Sequence, residues 1–119
     1  MSKYHSRKIT RNGITYDSVK EYKRHCELLL LEKAGAITEL RRQAQIILIP
    51  PQREPDTIGV RGGRKPGKVI ERAVTYVADF TYKENGKLVV EDTKGYRTKD
   101  YILKRKMALY LMGIRIRET

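Results

Sequence analysis

The chain has 119 residues, a formal net charge of +12 and 34% charged residues. That length carries one domain with one modest core and excludes two. A cationic surplus of this size selects a polyanionic partner, nucleic acid ahead of an anionic membrane, because each Lys or Arg that meets a phosphate releases condensed counterions. The plainer alternative is a basic protein whose charge serves solubility alone.

Cys26 is the single cysteine, which excludes an intramolecular disulfide and a thiolate metal cluster. Its apolar neighbours Leu29 and Leu30 predict a small core residue there. The N-terminus lacks an apolar signal core, and no apolar run approaches a membrane span. A cytosolic protein with no membrane partner is therefore expected.

In chain order, residues 8–16 hold Asn12-Gly13 between extended segments and predict a small hairpin. A helix follows, capped by Asp17 or Ser18, with Glu21 three residues after Ser18 and Gly35 as the stop. Its inner face is expected to carry Tyr22, Cys26, Leu29 and Leu30, with Leu28 and Leu31 widening the stripe. Residues 36–50 read as one or two strands, ended by Pro50-Pro51. Residues 50–72 contain four Pro and four Gly, which predicts a flap holding neither ladder nor helix. Arg53, Arg61, Arg64, Lys65, Lys68 and Arg72 there outnumber Glu54, Asp56 and Glu71, as in an arm that orders on a phosphate backbone. Beyond it come a strand at 73–83, an Asn85-Gly86 turn and a strand at 87–95. A helix at 98–113 ends on Gly113, and a last strand, 114–118, alternates Ile114 and Ile116 with Arg115 and Arg117. The expected fold is a single α/β domain over residues 1–119 with a mixed central sheet flanked by helices.

The chemistry lies in "VVEDTKG", residues 89–95. With Asn85-Gly86 as a two-residue turn, Glu84 pairs with Lys87, Phe80 with Glu91, and Asp79 lies directly opposite Asp92. Opposed residues share a face, with Cβ atoms about 4.5–5.5 Å apart, and Lys94 emerges on the same face. Like charges across a ladder are destabilising, so the pair points to a missing cation. Oxygen ligands without His or Cys favour Mg²⁺, with Mn²⁺ as a substitute, and phosphoryl-transfer chemistry. Lys94 then holds or deprotonates the attacking water, or neutralises charge on the phosphate. The alternative is a cross-strand acid pair with Lys94 as a simple ion-pair partner. Glu91 falls on the opposite face, as a solvent or second-layer residue.

"VADF" followed by "VEDTKG", flanked by helices, resembles the PD-(D/E)xK nuclease superfamily, with Asp79 as its first acid and Asp92-x-Lys94 as its second element. Ala78 stands where that superfamily commonly has Pro. More narrowly, the chain resembles a group of short phage and prophage proteins. The matching residues are Lys3-Tyr4-His5, Gly13-Ile14, Tyr16-Asp17-Ser18, Glu21, Tyr76, Ala78 to Phe80 and Val90 to Gly95. The resemblance implies a restriction-endonuclease-like core, α-β-β-β-α-β, and a metal-dependent DNA endonuclease related to Holliday junction resolvases, with branched DNA as substrate and a homodimer as the arrangement. It also implies Glu21 as a further metal ligand, although Ser18 to Glu21 is a capping box in its own right, and Gln43 as a site-supporting residue, although a strand-edge polar role is equally open.

Arg61, Arg64, Lys65 and Lys68 in the flap, with Arg97, Lys99 and Lys104 near the second helix, are the candidate DNA contacts. Lys104, Arg105 and Lys106 stand against Tyr101, Ile102, Leu103 and Met107 on that helix, and a charged helix face is otherwise simply solvated. His5 and His25 lack partners at ligand spacing. A non-catalytic nucleic-acid binder, or a nuclease-fold subunit of a larger phage complex, remains the rival class.

Overall fold

The computed structural model describes residues 7–94 and 96–119. Lys3, Tyr4, His5 and Gly95, named in the motif reading, lie outside the described residues. The N-terminal hairpin forms as expected: β1 (Ile9–Arg11) pairs antiparallel with β2 (Ile14–Tyr16). Asn12 and Gly13 take φ of 53° and 77° between them, the left-handed pair that a type I′ turn requires.

Helix α1 (Val19–Lys33) is capped by Ser18, whose hydroxyl accepts from the Glu21 N–H. Gly35, at φ 82°, ends it. Its buried residues are Glu21, His25 and Leu28. The expected apolar face holds at Leu28 and fails elsewhere: Leu29 and Leu30 are exposed at 46% and 69%, and Cys26 is exposed, not a core residue. The inward seam is polar because its members find partners. The His25 ring stacks on Phe80 with its Nδ1 2.6 Å from the Tyr16 hydroxyl, and Glu21 is bonded as described below. A buried polar group with a partner is tolerated where an unpaired one is not.

The central sheet runs β10-β9-β8-β3. It comprises β3 (Thr38–Ile49), β8 (Val74–Glu84), β9 (Lys87–Asp92) and the short β10 (Arg117–Glu118). β3, β8 and β9 are antiparallel neighbours, and β10 lies parallel to β9. Among the described residues the sheet is thus mixed, and with α2 (Lys99–Met112) the core order is helix, three strands, helix, strand. Thr98 caps α2 and Gly113, at φ 68°, closes it. The last strand is shorter than expected, two residues instead of five, although Ile116 is buried. Leu103, expected on the inner side of α2, is 58% exposed, while Tyr101 and Ala108 are buried.

Two apolar clusters form the core. One joins Tyr101 and Ala108 of α2 to Leu48, Tyr76, Ala78, Val90 and Ile116. The other joins Leu28 of α1 to Ile37, Phe80 and Tyr82.

Residues 50–73 leave the end of the β3–β8 ladder, whose last pair is Ile49 with Val74. The expectation that this stretch holds no ladder is overturned. Two short antiparallel pairs run through it, β4 (Gln52–Arg53) with β7 (Val69–Glu71) and β5 (Thr57–Ile58) with β6 (Arg64–Lys65). The prolines stand outside these pairs, at 50, 51, 55 and 66, so none removes a ladder donor. The arm accords with an elongated outline of 55 × 41 × 32 Å and a radius of gyration of 18.6 Å, against about 13–14 Å for a compact domain of this length. Among the described residues no helix is long and apolar enough to cross a membrane.

Candidate functional site

The β8–β9 register is the one the Asn85-Gly86 turn predicts, from Glu84 with Lys87 through to Phe80 with Glu91. One step further the ladder gives way to side-chain bonds. The Asp79 N–H donates to Asp92 Oδ1 at 2.9 Å. Asp79 Oδ2 in turn accepts from the Thr93 N–H and hydroxyl, both at 2.9 Å. The two acids are thus held side by side at the end of the pair, and Thr93 is a partner that sequence reasoning missed. Its only signal was a hydroxyl between an acid and a lysine.

β3 adds to the same row. Its pairs Arg42 with Phe80 and Ala44 with Ala78 leave Gln43 across from Asp79. Gln43 has φ of 50°, an uncommon conformation for a residue with a Cβ, and such outliers gather at functional sites. Its Nε2 donates to Glu21 Oε1 at 3.2 Å, and Arg42 Nη2 lies 3.4 Å from the same oxygen. Glu21 is therefore not spent on a capping box. Only its N–H serves the cap, while its carboxylate, 2% exposed, turns toward β3. Arg42 is itself pinned, with its guanidinium 4.6 Å from the Tyr16 ring centroid.

Lys94 completes the group. Its Nζ lies 3.4 Å from Asp92 Oδ2 and 4.1 Å from the Tyr101 ring centroid. Backbone bonds from Thr119 N–H to Asp92 O and from Lys94 N–H to Thr119 O tie this segment to the C-terminal strand. Asp79, Asp92, Lys94, Glu21 and Gln43 are thereby brought into one neighbourhood from α1 and three strands.

The electrostatics follow from burial. Asp92 is 1% exposed, and burial raises its carboxyl above the ordinary value against the opposing Asp79 N–H and the Lys94 ammonium. Burial raises Glu21 as well, helped by the negative charges of Asp79 and Asp17 and opposed by Arg42. Asp92 Oδ2 is buried and makes no hydrogen bond of normal geometry, although Lys94 ion-pairs with it at 3.4 Å, and Arg42 Nε is buried with no acceptor. A buried acceptor with no partner costs about 1–3 kcal/mol, a cost that the Lys94 ion pair offsets only in part. A divalent cation would satisfy it, and the oxygen-rich donor set suits Mg²⁺ or Mn²⁺. Among the described residues no three acid, His or Cys side chains gather as a complete ligand set. An ion here would complete its shell with water and phosphate oxygens, as Mg²⁺ commonly does.

Glu91 is a second-layer residue and not a solvent-facing one. It is fully buried, gripped by Arg24 Nε and Nη2 at 2.6 and 2.9 Å, and it accepts from the Tyr82 hydroxyl at 2.6 Å. A cleft of about 410 Å³ is lined in part by Lys20, Lys23, Arg24, Glu27 and Thr119 and reaches the acid cluster through Thr93. Lys20 and Lys23 were not singled out from sequence, since two lysines on an exposed helix turn are unremarkable until the fold sets them beside Thr93.

The candidate DNA contacts divide. Arg61, Arg64, Lys65 and Lys68 are exposed on the arm, although Arg64 is ion-paired with Asp56. Lys99 is exposed, Lys104 lies 3.4 Å from Asp100, and Arg97 is held by Glu118 at 2.8 Å. Arg97 and the Tyr101 hydroxyl hold the Glu118 carboxyl down to about 2. Arg97 thus closes β10 onto the α2 entrance and has less freedom to meet a phosphate than its sequence position suggests.

Neither the curated proteins nor the solved structures contain a match to this chain. A family model does match, over residues 1–115, and the chain belongs to the family described as Protein of unknown function (DUF1064).

Proposed function

We propose that the protein is a metal-dependent endonuclease acting on DNA, with a core of the restriction-endonuclease type. The observation that carries this reading is Asp92 Oδ2. It is a buried carboxylate oxygen with no hydrogen bond of normal geometry, held beside Asp79 and ion-paired with the Lys94 ammonium at 3.4 Å. A purely structural acid pair would have its oxygens satisfied, as Glu91 has a few ångströms along the same strand. The core order α-β-β-β-α-β and the net charge of +12 support the reading from fold and composition.

In this mechanism Asp79 and Asp92 would hold Mg²⁺ or Mn²⁺, with Glu21 nearby on α1 and, among the described residues, not part of a preformed three-acid set. The ion, when bound, supplies Lewis-acid polarisation of the phosphate and a more acidic water. Thr93 fixes the Asp79 carboxylate, and Gln43 and Arg42 fix that of Glu21, so the acids are preorganised. Lys94 orients the attacking water or neutralises charge that builds on the phosphate oxygens. Lys20 and Lys23 attract the phosphate backbone into the adjoining cleft.

Supercoiled plasmid and four-way junction DNA, incubated with Mg²⁺, with Mn²⁺ and with EDTA, test the proposal. Cleavage that requires the metal and disappears in Asp92→Asn supports it. Tight binding with no cleavage of any substrate leaves a polyanion-binding protein in its place.

A further inference from the structure

The arm is exposed from residue 50 to 72 except at Gly59 and Gly67, yet it is built. The Glu54 N–H donates to Lys68 O at 2.8 Å, Arg53 Nη1 to Gly67 O at 2.9 Å, and the Gly67 N–H to Asp56 Oδ1 at 3.1 Å. A Cβ at residue 67 would meet the Glu54 carbonyl oxygen at 1.8 Å, so the two limbs approach where only glycine fits. The tip turns between Gly59 and Gly63, whose backbones are bonded at 2.6 Å. There Ile58 is 81% exposed and Val60 fully so.

An exposed two-stranded ribbon with β-branched apolar residues at its end is an aggregation hazard unless charge protects it or a partner covers it. Its side chains are those of a nucleic-acid reader, with cations along the limbs and small apolar groups at the tip. A two-stranded ribbon fits the major groove of B-DNA, about 12 Å wide, where apolar side chains contact thymine methyls. A second copy of the chain is disfavoured as occupant, since both arm and body carry excess positive charge. A membrane is disfavoured because two residues at a narrow tip provide little of the apolar face that interfacial binding needs.

We propose that residues 50–73 form a β-ribbon that lies in the major groove of duplex DNA, with Arg61, Arg64, Lys65 and Lys68 along the phosphates and Ile58 and Val60 against the base edges. This rests on the DNA-binding part of the proposed function and not on cleavage. The arm therefore anchors the duplex away from the acid cluster.

Binding is measured by fluorescence anisotropy in EDTA with a duplex, a single strand of the same sequence, and heparin, a polyanion without grooves or bases. Replacing Arg61, Lys65 and Lys68 together by Gln lowers the slope of log K against log salt by about 2–3 on the duplex. Val60→Ser, at a fully exposed site that cannot disturb folding, weakens duplex binding about fivefold or more. It leaves the salt slope and the heparin affinity unchanged. An unchanged slope in the triple variant, Val60→Ser without effect on the duplex or with an equal effect on heparin, equal affinity for single strand and duplex, or equally tight binding to vesicles with 30% (roughly) anionic lipid each overturns the proposal. Because no arm of the experiment requires metal or cleavage, loss of the nuclease reading leaves these outcomes interpretable, and a cleaving enzyme with an indifferent arm refutes only the ribbon.

Discussion

Arg24 and Glu91 form a two-pronged ion pair, Nε to Oε2 at 2.6 Å and Nη2 to Oε1 at 2.9 Å, between α1 and β9. Arg24 lies one helical turn beyond Glu21, and Glu91 immediately precedes Asp92. One buried clamp thus sets the distance between the helix and the strand that bring acids to the site. Glu91 is fully buried, so removing its partner strands a charge. Arg24→Ala is expected to lower the unfolding free energy by about 3–5 kcal/mol, and Arg24→Met with Glu91→Leu to recover most of it. Urea denaturation of the two variants checks this. A double variant no more stable than Arg24→Ala would show that the clamp contributes by packing and not by charge pairing.

The proposed metal binding is read most directly at Asp92. Thermal unfolding of the wild-type chain is expected to shift upward on adding Mn²⁺, by about 2.7 kcal/mol when the ion is at a hundred times its dissociation constant. In Asp92→Asn the shift disappears. The metal-free variant loses little stability, because the substitution removes a buried charge and retains an oxygen for the Asp79 N–H, which offsets the lost Lys94 ion pair. A full Mn²⁺ shift in the variant would place the ion elsewhere.

The pH dependence of the metal-free protein has two opposed parts. Asp92 and Glu21 are raised above their ordinary values by burial, so each contributes stability present below its unfolded pKa and lost as pH rises through its folded one. His25 is lowered below 6.5 by burial and by the Arg42 charge. Its contribution is present above the unfolded pKa and lost as pH falls through the folded value. Between pH 7.5 and 5.5 the melting temperature of the wild type is therefore expected to fall more, or rise less, than that of His25→Asn, the difference being the histidine's contribution. An NMR titration placing His25 above 6.5 would contradict this.

Gln43 tests whether backbone strain serves the site. Gln43→Gly relieves a left-handed residue, worth about 1 kcal/mol, and loses one hydrogen bond to Glu21 of similar size. The unfolding free energy is expected to stay within about 1 kcal/mol of wild type while metal-dependent cleavage falls at least tenfold (roughly). Equal activity in the glycine variant would make the left-handed backbone at Gln43 a mere feature of the strand.

Thr93→Val separates the hydroxyl from the backbone. The N–H bond to Asp79 Oδ2 remains and the hydroxyl bond, also at 2.9 Å, is lost. The expected stability loss is about 1 kcal/mol, with weaker Mn²⁺ affinity measured by calorimetry. Unaltered affinity would mean that the backbone bond alone holds the carboxylate.

Much of this site was legible in the chain because it is written in local geometry. Asn85-Gly86 dictates a two-residue turn, the turn dictates a register, and the register sets Asp79 beside Asp92 with Lys94 following, all within sixteen residues. The hairpin at Asn12-Gly13, the cap at Ser18, the glycine ends of both helices and the order of the core elements are local in the same sense, since cap and turn chemistry depends on neighbours in sequence. The inward face of α1 was not legible. Apolar periodicity selected Cys26, Leu29 and Leu30 with Leu28 at the margin of the stripe; the fold buries Leu28 but otherwise Glu21 and His25, because their partners Gln43, Tyr16 and Phe80 come from other strands. The ladders of the arm, the burial of Glu91 under Arg24 and the bond from Thr93 to Asp79 belong to the same class. Each depends on a group distant in sequence or on a paired limb, and only three-dimensional packing decides whether a charged side chain meets water or a partner that makes its burial tolerable.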